Sequence, residues 1–135
     1  MNIKAFKRLM QMVADGWNTY DVEKSIACFT DDVVYMEPPD KQLVVGRGQL
    51  YKYFDNPKKM KLAWHHLMFD EETQVGSGEF TFTMEGRQGN HGVVVVELEN
   101  GKIKLWREYY KVSDLDFKDF ISIKGKKFEL EMKNA

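Results

Sequence analysis

NHGVVVVELENGKIKLWREYYKV, residues 90–112, decides the fold class. Its halves, NHGVVVVELE and KIKLWREYYKV, are rich in the β-branched and aromatic residues that favour strands, and they meet at Glu99–Asn100–Gly101, a tight-turn signal between antiparallel strands. Neighbouring side chains on a strand point to opposite faces. Arg107 and Glu108 therefore separate, one facing outward and the other facing the interior. Upstream, LAWHHLMF (62–69) and GEFTFTME (78–85) also read as strands, and EGRQG (85–89) is a second turn signal. These four segments predict an antiparallel meander.

The N-terminal half has a helical period instead. Ile3, Phe6, Met10, Val13 and Trp17 recur at spacings of three and four, which predicts one helix ending near Gly16–Asn18. Asp21 is the expected N-cap of a short second helix, DVEKSIACF. DDVVYMEPP (31–39) is a strand stopped by Pro38–Pro39, DKQLVV (40–45) a loop, and GQLYKYFDN a third helix closed before Pro57. Beyond the meander, SDLDFKDF (113–120) predicts a short helical stretch and KKFELEM (126–132) an edge strand. Helices first and consecutive strands after them argue for an α+β domain.

Composition narrows the function. The 135 residues are 43% hydrophobic and 30% charged, a balance that supports one packed core in one domain, 1–135, with 113–135 as a C-terminal extension. A net charge of −1 without a basic run argues against nucleic-acid binding. No apolar run reaches membrane-spanning length, and the lone Cys28 fits a reducing compartment, so a cytoplasmic location is expected. There is no HExxH or CxxC spacing, and the turns GRG (46–48) and GSG (76–78) lack the context of phosphate loops. Neither a metal nor a cofactor is expected.

The element order, together with GWNTYDVEKSIACFTDDVVYMEPP (16–39), VGRGQLYKYF (45–54) and ENGKIKLWREYY (99–110), resembles the nuclear-transport-factor-2-like superfamily and its SnoaL-like group. That resemblance implies a cone: a curved antiparallel sheet wrapped around a long N-terminal helix, helices on the concave face, and a mostly apolar pocket open at one end. Its relatives include ketosteroid isomerase, limonene epoxide hydrolase, scytalone dehydratase and polyketide cyclases, besides members with no chemistry, so the fold alone names no function. Glu37, just before a proline at the end of the first strand, matches the place of the isomerase's general base. The isomerase's two oxyanion donors have no counterpart, since the matching positions hold Val13 and, by the register adopted, Val95. Ketosteroid isomerase activity is therefore not expected.

The same register turns Trp106, Glu108 and Tyr110 inward and Arg107 and Tyr109 outward. It also directs Phe80, Phe82 and Met84 inward, and aims His91, Val93 and Val95 at the pocket. The expected site has Glu37, Glu108 and His91 as its acid/base groups and Trp17, Tyr35, Phe82, Trp106, Tyr110 and His66 as its substrate-binding wall. A few polar groups in an apolar cavity suit a small apolar ligand. Glu108 and His91 bonded only to each other is the structural alternative. His65 and His66, adjacent on one strand, are expected to face opposite ways. Two functions stand at this point: cofactor-independent acid/base chemistry of the isomerase, dehydratase or cyclase type, and a non-catalytic ligand-binding or interaction module. A homodimer is expected through the outer sheet face, using Arg107, Tyr109, Val94 and Val96.

Overall fold

The structure, a computed structural model, describes residues 1–123, 125 and 127–130. Helix α1 (Ile3–Asn18) starts at Asn2, whose side chain accepts a hydrogen bond from the Ala5 amide at 2.9 Å. Its stripe Phe6, Met10, Val13 and Trp17 is buried against the sheet as the spacing predicts. Each such side chain contributes on the order of 2 kcal/mol through burial. Helix α2 (Val22–Ile26) is capped by Asp21 and lies tight against α1. A Cβ at Gly16 would sit 2.0 Å from Ser25 Oγ, which donates to the Val13 carbonyl at 2.8 Å.

Strand β1 (Phe29–Glu37) ends in a 3-10 turn over Pro38–Asp40. The expected loop DKQLVV then holds a strand, β2 (Gln42–Val45), antiparallel to β1. Only Val44 of β2 is buried, so this edge strand carries no alternation for a sequence reading to detect. Helix α3 (Arg47–Phe54) opens after Gly46 and points Leu50 and Phe54 inward. The meander follows as β3 (Met60–Asp70), β4 (Val75–Met84), β5 (Arg87–Glu99) and β6 (Lys102–Val112). Asn100 and Gly101, both at positive φ, make the two-residue turn between β5 and β6.

The six strands form one curved, unclosed sheet in the order β2-β1-β6-β5-β4-β3. It is mixed, not wholly antiparallel, because β1 and β6 run parallel. The helices and the apolar core lie on its inner face, the expected cone arrangement. Among the described residues no helix is long and apolar enough to cross a membrane.

Two bulges alter the expected facings. In β6 the pairing slips between Glu97↔Leu105 and Leu98↔Ile103, which leaves Lys104 as the extra residue. Counted through an unbulged turn, Trp106 lies opposite Val95; with the bulge it lies opposite Val96. One residue of slip exchanges the faces of a strand. Val94 and Val96 are accordingly buried in the core, not available to a dimer contact, while His91, Val93 and Val95 point outward with Tyr109 and Arg107. The second bulge lies between Trp64 and His66 in β3. It keeps Trp64 and Leu67 inward and turns both His65 and His66 to the outer side, against the expectation that they part.

The C-terminal segment crosses that outer face. Asp116 caps the short helix α4 (Phe117–Phe120), whose Phe117 and Phe120 rings stack on His65 and His91 at centroid distances of 3.6 and 4.1 Å. Lys127–Leu130 has no regular structure, and the other residues of the expected edge strand, Lys126, Glu131 and Met132, lie outside the described residues.

Candidate functional site

A pocket of about 160 Å³ opens at the end of α1, between α3 and the inner face of the sheet. Five predicted residues line it: Trp17, Tyr35, Glu37, Phe82 and Glu108. Trp106 forms the layer behind them. It is fully buried, stacks on Tyr35 at 5.5 Å and 11°, and donates from its indole nitrogen to Glu108 Oε1 at 3.1 Å. Tyr110 is half-buried but stands outside the lining; burial and the Asp40 carboxylate push its phenol well above the usual range.

Both carboxyl groups are buried, each 9% exposed, and among the described residues neither forms an ion pair with an arginine. Glu37 accepts a hydrogen bond from the Tyr53 hydroxyl at 2.5 Å. Burial raises the Glu37 pKa from its ordinary value, and the Tyr53 bond opposes the rise. Glu108 is pushed further, to about 8, by burial first and by the Glu37 charge second, with the Trp106 bond acting against both. Glu108 is thus a neutral acid at pH 7. Because Oε1 accepts from Trp106, its proton belongs on Oε2. Two carboxyl groups whose environments separate their affinities for a proton are the usual arrangement of an acid and a base. Burial and the bond to Glu37 hold the Tyr53 phenol far above its ordinary pKa, so it remains a donor.

The two predicted histidines are not in this pocket. His91 faces the outer side: Nε2 lies 2.7 Å from the Leu115 carbonyl and Nδ1 lies 2.8 Å from Thr81 Oγ1. Thr81 Oγ1 in turn lies 2.7 Å from His65 Nε2. A carbonyl only accepts, so His91 carries its proton on Nε2; when neutral, it accepts at Nδ1 from Thr81, and His65 must then donate to Thr81. His91 is only 3% exposed because the C-terminal segment covers it, not because it faces the core, and no pair forms with Glu108. The His66 side chain is 77% exposed beside Glu79. Among the described residues no group of three or more metal-ligating side chains converges.

Reading the sequence missed Tyr53, Asn90 and Arg87. Tyr53 stands three residues after Leu50 on the stripe that also holds Phe54, a signal open to inspection. Asn90 directly opposes Phe82 across the sheet and lines the pocket where the unbulged register aimed His91. Arg87 stands at the exposed rim and acts weakly on both carboxyl groups.

The fold recurs in solved structures of low sequence identity. A protein of unknown function with a cystatin-like fold from Methylobium petroleophilum PM1 superposes with a TM-score of 0.71 at 20% identity, covering 100% of this chain and 99% of its own. An LEH-like epoxide hydrolase of M. tuberculosis gives 0.71 at 19%, over 80% and 84%. The Delta 5-3-ketosteroid isomerase of Mycobacterium sp. gives 0.69 at 16%, over 79% and 93%. At these identities the likeness shows the fold. No curated protein matches the chain in sequence. The family model described as a SnoaL-like domain matches residues 10–106, and the chain belongs to that family, within the nuclear-transport-factor-2-like superfamily.

Proposed function

We propose that this protein binds a small, largely apolar compound in the pocket and performs cofactor-independent acid/base chemistry on it, with Glu37 as base and Glu108 as acid. The observation that carries the reading is the pair itself: two buried carboxyl groups in one aromatic pocket, with no arginine ion pair among the described residues and unequal environments. A carboxylate desolvated beside a neutral carboxylic acid suits removal of a proton next to a carbonyl, with the acid stabilising the oxygen on which charge develops. Isomerisation, dehydration and cyclisation share that step.

Deuterium uptake at the carbon next to the carbonyl of 4-hydroxycyclohexanone, followed by NMR in heavy water, tests it. Glu37→Gln should slow uptake by about 10²-fold or more. Uptake no faster with wild type than in buffer, under conditions where the ketone binds, would sink the catalytic reading and leave a binding module. That second reading has one observation in its favour: the position expected to hold an isomerase tyrosine is Val13, fully buried in the core.

For assembly we read the uncovered part of the outer face, with Val93 and Tyr109 exposed, as a two-fold contact between copies. Residues 113–120 occupy the neighbouring part of that face, over His65 and His91, which leaves the contact to the uncovered part of the central strands β5 and β6. Sedimentation of wild type against Tyr109→Glu reads the difference.

A further inference from the structure

The protein has three tryptophans, and their indole N–H groups differ in one respect. Trp64 donates to the Met10 carbonyl at 2.8 Å and Trp106 donates to Glu108. Among the described residues Trp17 Nε1, on a residue 7% exposed, has no partner. Asn90 Oδ1, on a residue 3% exposed, also has none among them. Both residues line the same pocket. A buried polar atom left unpaired is costly, and natural proteins rarely keep two in one cavity unless something supplies the missing bonds. The indole offers a donor only, and the Asn90 amide offers one acceptor and one donor edge. A ligand that completes both must carry an acceptor and a donor of its own.

Volume and charge restrict it further. A cavity of about 150 Å³ takes a molecule the size of benzene, and this pocket has about 160 Å³. A single ring with small substituents fits, and a four-ring skeleton does not. Glu37 in the wall, with Asp40 close by, repels an anion, and Arg87, the one cation among the described lining residues, is exposed at the rim. A bare ammonium ligand carries no acceptor and would leave the Trp17 donor unpaired.

We infer that the pocket takes an uncharged single-ring carbonyl compound that also bears a hydroxyl group, its oxygens completing Trp17 Nε1–H and the Asn90 amide. This rests on the proposed function, whose step next to a carbonyl makes the acceptor a carbonyl oxygen, although binding itself needs no catalysis.

The test is a titration of wild-type protein with 4-hydroxycyclohexanone, observed through the tryptophan indole N–H signals, with Trp17→Phe assigning the Trp17 peak. The expected result is a dissociation constant of about 1 mM or tighter, with the Trp17 signal moving and the Trp64 signal still. Asn90→Leu should weaken binding by about tenfold; if that variant fails to fold, the wild-type titration decides alone. Progesterone, 4-hydroxycyclohexanecarboxylate and cyclohexylamine should each bind at least about tenfold more weakly. Failure of the hydroxyketone to bind, a motionless Trp17 signal, or equal binding of the steroid, the carboxylate or the amine overturns the inference. Binding without deuterium uptake would instead overturn only the catalytic proposal.

Discussion

Glu108→Gln should make the protein more stable, by an amount that grows with pH. In the unfolded chain the carboxyl group titrates near 4.5, and in the folded protein near 8. Between those values the folded state holds a proton that the unfolded state has released. Stability contributed by a neutral Glu108 is therefore complete below pH 4.5 and is lost as pH rises through that window. At about 1.4 kcal/mol per pH unit, the loss by pH 8 is on the order of 5 kcal/mol, a large fraction of the stability of a domain this size. Glutamine has the same shape, keeps an oxygen to accept from Trp106, and does not titrate. The assay is urea denaturation of both proteins at pH 5, 6, 7 and 8. The two should be nearly equal at pH 5, and the variant should lead by several kcal/mol at pH 8. Parallel pH profiles would refute the reasoning, because they would mean that Glu108 ionises in the folded protein as easily as in water.

Tyr53→Phe removes the one hydroxyl donor that Glu37 has among the described residues, so the Glu37 pKa should rise further, read by NMR of its labelled carboxyl carbon. Thr81→Val deletes the hydroxyl shared by His65 and His91, costs about 1–3 kcal/mol, and should speed amide exchange over residues 113–120, with Thr81→Ser restoring it. Gly16→Ala gains about 1 kcal/mol of helix propensity but drives a Cβ into Ser25 and the Asp21 carbonyl. Overpacking against backbone outweighs that gain, and thermal melting should show a net loss of about 1–2 kcal/mol.

Apart from β2, the helices and strands were legible because each carries its own period. The stripe from Phe6 to Trp17 and the alternation at Trp106, Glu108 and Tyr110 repeat over several turns or residues, and burial follows them. What failed was counting across irregularities. Lys104 looks like any strand residue, yet as the bulged one it moved the whole odd-numbered set from His91 to Val95 to the outer side and brought Asn90 into the pocket. His65 and His66 left the expected alternation for the same reason. A bulge is set by how two strands pair, which neither strand declares alone. The burial of His91 was real but came from Phe120 and Leu115, far along the chain, where local pattern has no reach.

The order β2-β1-β6-β5-β4-β3 has one further consequence. The last strand among the described residues is the third in space, and its parallel partner β1 lies some seventy residues upstream. Until β6 is available, β1 with β2 and the hairpins of β3 to β5 have no common neighbour. The stacked pair Tyr35 and Trp106, which carries the carboxyl wall of the pocket, is itself a β1–β6 contact. Long-range closure of this kind raises contact order and slows folding. During synthesis the nascent chain must leave the β6-facing edge of β1 unpaired until residues 102–112 have emerged, which makes that edge its point of exposure to aggregation and to chaperones.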